Sequence, residues 1–192
     1  FSENASHDNG KYAMQALQKL SALIDSLNQW VGRGVAWVTL GLVLVVFVDV
    51  VMRYVFRTSF VFTQELEWHL FAMIFLLGAG YTLLKDGHVR VDIFYQRFSP
   101  KTRAWINLLG ILLFLLPGCY LIIATSLPFV KLSYNMAEIS PDPGGIPYRY
   151  LLKAIIPVGF MCVVLQGVAL LIDNLQIIVY GTKENNRANN VD

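Results

Sequence analysis

The chain has 192 residues, of which 56% are hydrophobic and 15% charged, and its formal net charge is +2. A soluble domain carries roughly 25% charge, so ordinary water-soluble globular classes are excluded. A charge so close to neutral gives no electrostatic reason to expect nucleic acid as a partner.

In chain order, residues 1–10 are polar and read as an N-terminal tail. Residues 11–32 follow with Met14, Leu17, Leu20, Ile24, Leu27 and Val31 at three- and four-residue steps. Gln15, Gln18, Lys19, Asp25 and Gln29 fill the intervening positions, which predicts an amphipathic helix. Such a helix lies in the membrane interface or packs against another membrane subunit. Residues 33–181 form the membrane domain, with predicted spans at 35–56, 65–85, 103–130 and 151–179. Each supplies the roughly 20 apolar residues that cross a hydrocarbon core as a helix. No small-residue cleavage pattern follows the first run, which is expected to stay as an anchor. The fold class is therefore an all-α integral membrane protein with four transmembrane helices.

Between spans two and three, Gly87 stands where a helix C-terminus favours positive φ, and Ser99-Pro100 reads as N-cap and first helical residue. "HVRVDIFYQRF" between them mixes apolar and charged residues and fits a short segment on the membrane surface. The third span is too long for a straight crossing, and Pro117 and Pro128 mark where it bends. The next loop, "KLSYNMAEISPDPGGIPYRY", carries Pro141, Pro143, Gly144, Gly145 and Pro147 and reads as an ordered turn-rich connection. Residues 182–192 form a polar tail. Ten Lys and Arg residues fall on the side of the termini and the second loop, and five on the other. Both termini are thus expected in the cytoplasm.

Charges inside a span are costly and suggest function. Asp49 and Arg53 share a helix face at i, i+4. A hairpin between spans one and two is expected to bring Arg53 or Arg57 beside Glu65, with Glu67 near the same depth. A structural ion-pair cluster is the simpler reading of these five residues than a proton relay. Asn107 and Gln166 are uncharged polar residues inside spans three and four, suited to hydrogen bonds across helices. Cys119 and Cys162 read as small buried hydrophobes. His69 and His88 lie about 28 Å apart along a helix and cannot ligate one iron, and His7 sits in the polar start. His88 with Asp86 and Asp92 is a weak trio for zinc. No catalytic grouping stands out, and no cofactor is expected in this chain. A haem- or quinone-linked anchor subunit of a respiratory enzyme remains the alternative function.

One set of residues carries a resemblance. Arg53 ends span one, Phe62 and Glu65 open span two, Gly78-Ala79 form a small-residue step, and Gly87-His88-Val89-Arg90-Val91-Asp92 follow at its exit. Together with the stretch from 141 to 167, they resemble the small membrane subunit of TRAP transporters, the DctQ family. Phe62 stands where Trp is frequent, and Gln64 where a second acid often does. The resemblance implies a bacterial inner-membrane complex with a large multi-span permease, a periplasmic binding protein and lipid around it. It implies Na+-coupled uptake of organic acids, with Na+ bound by the large subunit. The small subunit would be a static scaffold for the moving permease, its loop at Pro141, Gly144, Gly145 and Pro147 available to the binding protein. Gly87, His88, Arg90 and Asp92 would form the cytoplasmic corner of that scaffold.

Overall fold

A computed structural model describes residues 2–86 and 98–181, with side chains described for 14–86 and 98–179. Gly87, His88, Arg90 and Asp92, most of the surface segment and the C-terminal tail lie outside the described residues. The described residues form five helices: α1 (Ser2–Tyr54), α2 (Val61–Leu84), α3 (Pro100–Gly110), α4 (Leu116–Asn135) and α5 (Arg149–Tyr180), with a π-helical turn, Ile111–Leu115, joining α3 to α4. Among the described residues four segments are long and apolar enough to cross a membrane: Met14–Tyr54, Val61–Leu84, Pro100–Asn135 and Arg149–Val179. The chain is an all-α membrane protein, with no strand among the described residues.

The sequence reading placed a tail, an amphipathic helix and a first span in succession, whereas α1 runs through all three without a break. Nothing between residues 11 and 54 interrupts it, since that stretch holds glycines but no proline. The amphipathic half does not bury its leucines as a soluble helix would, and Gln15, Gln18 and Lys19 stay exposed as well. Leu17, Leu20, Leu27 and Trp30 point outward, and Leu23 is 69% exposed, whereas Ser21, Ile24 and Asn28 are buried. In hydrocarbon the apolar face costs nothing outside, and the polar face must find partners within the protein.

The π-helical turn ends just before Pro117, which lacks an N–H and whose ring would strike the carbonyl one turn back. Widening the preceding turn removes that clash, so the irregular turn sits where this proline requires it, whereas Pro128, the other position expected to bend, lies inside α4. Ser99 caps α3, its Oγ accepting from the Thr102 amide at 3.2 Å. At the end of α2, Asp86 has φ 55°; the glycine expected to cap this end, Gly87, lies outside the described residues.

α5 is the centre of the bundle, touching α1, α2, α3 and α4. α1 and α2 pack together on one side of it, and the α3–α4 span lies on another. The α2–α5 contact is a close one. A Cβ on Gly159 would sit 2.5 Å from the Leu76 carbonyl oxygen, so only glycine allows the two backbones this approach. At one end of the bundle lie the 55–60 and 136–148 connections; at the other lie the ends of α2 and α5 and the start of α3.

Candidate functional site

Among the described residues, the end of the bundle that holds the 136–148 connection carries all three ion pairs. Glu65 lies in the first turns of α2 and is 4% exposed. Its Oε1 accepts from Ser140 Oγ at 2.5 Å and from Arg149 Nη2 at 2.8 Å. Its Oε2 accepts from the Ile146 backbone N–H, also at 2.5 Å. Three donors from a loop and the start of α5 thus converge on one carboxylate from α2. A buried charge needs such full satisfaction to be tolerated.

The loop is shaped for this grip. Gly144 has φ 83°, open to glycine but strained for most residues. Gly145 lies against the carboxylate, where a Cβ would come within 2.7 Å of Glu65 Oε2. Ala137 (φ 46°) and Tyr148 (φ 61°) are non-glycine residues in the left-handed region, one at each end of the loop. Such positions cost about 1–3 kcal/mol each and persist where surrounding contacts fix them. Those contacts are visible. The Arg149 amide donates to the Glu138 carbonyl at 3.1 Å, and Tyr134, Tyr148 and Tyr150 pack edge to face. The Arg149 guanidinium stands 5.5 Å from the Trp68 ring centroid. Lys153 also pairs with Glu138, and that hydrogen bond is the main reason the Glu138 carboxyl titrates below its ordinary value of 4.5.

This arrangement corrects the expected pairing. Glu65 meets Arg149 and not Arg53 or Arg57, because α2 turns its first acid toward α5 and the loop. Arg53 bonds Asp49 on its own helix, and Asp49 is buried beneath it. Arg57 is exposed in the turn between α1 and α2 with φ 51°. Glu67 is half-buried, and its Oε1 has no hydrogen-bond partner among the described residues. His69 donates from Nδ1 to the Glu65 carbonyl at 2.6 Å, within its own helix. Among the described residues no three His, Cys, Asp or Glu side chains group as a metal site.

The clamp is made of α2, the 136–148 loop and α5, and this region lies inside a match to a known family. A family model described as the DctQ component of tripartite ATP-independent periplasmic transporters matches residues 42–177. The chain belongs to the DctQ family. A TRAP transporter small permease protein of Haemophilus influenzae is 32% identical over 106 residues, or 55% of this chain. The match spans 65% of that protein's length. The DctQ family is a component of transporters, and that membership favours the transport reading over the respiratory anchor.

A second polar group in this DctQ chain lies toward the other end, on the α1–α5 seam. Gln166, 1% exposed, accepts from Asn28 Nδ2 at 2.9 Å and donates to Asp25 Oδ1 at 3.0 Å. Ser21 Oγ reaches Asp173 Oδ1 and the Ala169 carbonyl, both at 3.4 Å. Asn107 donates to Asn174 Oδ1 at 3.3 Å, tying α3 to α5. Both polar residues singled out in the spans therefore bond within the chain. Sequence reasoning missed Asn28, Ser21, Asp173, Asn174, Ser140 and Arg149. Ser21, Asp25, Asn28 and Gly32 recur at helical steps, a stripe of small and polar residues that marks an inward face.

Proposed function

We propose that this chain is the small, static membrane subunit of a TRAP-type secondary transporter in a bacterial inner membrane, with both termini in the cytoplasm. In this reading a large multi-span permease carries an organic acid with Na+, and a periplasmic protein delivers the substrate. The chain itself binds neither substrate nor Na+. The observation that supports this best is where its polar groups are used. Glu65, Arg149, Gln166, Asn28 and Asn107 all bond one helix of the chain to another. Such interhelical bonds hold a shape and leave broad apolar faces outside, as a scaffold requires.

The Glu65 clamp then fixes the loop of Pro141, Gly144, Gly145 and Pro147 as a preformed surface on the periplasmic side. A rigid loop binds with less ordering cost than a flexible one, which suits docking of the delivery protein. Arg57 and Glu67, which have no ion-pair partner among the described residues, are available to the permease. The test is co-purification. A tagged chain co-expressed with the permease should bring it down in a fixed ratio. A permease that runs separately under conditions where both fold would remove the proposal.

A further inference from the structure

We propose that the seam of α1 and α2, at the end where α2 finishes, binds one anionic phospholipid. Arg33 and Lys85 hold its headgroup, and an exposed stripe of α1 receives an acyl chain. Tyr81 packs directly on Gly32, where a Cβ would lie 2.5 Å from Tyr81 Cγ. The two helices run in opposite directions from that contact. Arg33 is one residue along α1 and Lys85 one turn along α2, so their backbones stand about 7.5 Å apart in height. That spacing is within reach of one headgroup for two long side chains.

Both cations are set on aromatic rings. The Arg33 guanidinium lies 4.0 Å from the Trp30 ring centroid, and Lys85 Nζ lies 5.9 Å from that of Tyr81. Aromatic rings with cations mark the level where hydrocarbon meets headgroups. Both cations are exposed and neither forms an ion pair among the described residues. The acid beside them is Asp86, next in sequence to Lys85 and itself exposed.

From Arg33 the same face of α1 continues through Trp37, Leu40, Leu44 and Phe47, all exposed, with Trp37 at 74%. Arg33 to Phe47 rises about 21 Å, longer than the roughly 15 Å of one leaflet's hydrocarbon. A cationic foot under an apolar track matches an amphiphile with a negative head. A zwitterionic choline lipid brings its own ammonium to two cations, and so is disfavoured. This inference does not depend on the transport reading.

The full chain in detergent, supplied with equal phosphatidylglycerol and phosphatidylcholine, is read by native mass spectrometry for retained lipid. Phosphatidylglycerol should be retained preferentially, and Arg33→Gln should lower that preference about fivefold, with a similar further loss for Lys85→Gln. The charge-preserving pair Arg33→Lys with Lys85→Arg should keep most of it. A second measurement needs no variant. In liposomes, phosphatidylglycerol brominated on its acyl chain should quench tryptophan fluorescence more than the brominated choline lipid. Equal retention of the two lipids, equal quenching, or an unaffected double glutamine variant overturns the proposal.

Discussion

Replacing Glu65 by Gln removes the charge from the centre of the loop clamp. The amide keeps one acceptor oxygen, but its NH2 group must face a donor, either the Ile146 N–H or the Arg149 guanidinium. It also leaves the Arg149 guanidinium without its counter-charge in a largely buried place. Breaking a buried pair by removing one partner costs about 3–5 kcal/mol. The loop is small and its two ends hold strained residues, so the loss should appear as local opening and not as collapse of the bundle. At about 1.4 kcal/mol per factor of ten, the opening constant should rise at least a hundredfold. Hydrogen exchange at the Ile146 and Arg149 amides reports it directly, since one bonds Glu65 and the other the Glu138 carbonyl. Arg57→Ala, the substitution at the residue expected from sequence to hold Glu65, should leave those amides unchanged. If Glu65→Gln leaves both amides within threefold of their normal rates, the clamp does not hold the loop.

Three further outcomes are expected. Asn28→Ala and Gln166→Ala in a double-mutant cycle should show a coupling of roughly 0.6–1.7 kcal/mol in detergent unfolding, and strict additivity would deny the α1–α5 bond. Gly159→Ala should lower stability by about 1–3 kcal/mol, read as a lower melting temperature, because its methyl meets the Leu76 backbone. A neutral result would mean that α2 and α5 stand further apart. The Glu138 carboxyl titrates below its ordinary value, so its pair with Lys153 contributes fully above pH 4.5 and is lost as pH falls through the lowered value. Loop protection factors, which correct for the slower intrinsic exchange in acid, should therefore fall on acidification in that window, and Glu138→Gln should abolish this part of the acid dependence.

The spans were readable because hydrocarbon demands long apolar runs, and no tertiary detail changes that demand. Asp49 with Arg53 and Ser99 with Pro100 were readable too, since both depend on spacing within one helix. Glu65 was placed at the right depth but given the wrong partner. Sequence gives the height of a residue in a span, whereas its direction around the helix is set by packing against α5. Arg149 sits 84 positions away at the same height, and only the folded loop brings it to Glu65. The start of α1 was read as amphipathic, with Gln15, Gln18 and Lys19 on its polar face; these three stay exposed, whereas Ser21 and Asn28 turn inward to bond α5. The join between that stretch and the first span was invisible for a simpler reason. A helix with no proline or cap inside it has no local signal to end.

The scaffold role is tested most directly by uptake in proteoliposomes assembled with and without this chain. Permease and binding protein should transport the organic acid at full rate only when the chain is present, and the chain alone should transport nothing. Uptake by the chain alone, or full uptake by the other two proteins without it, would contradict the role.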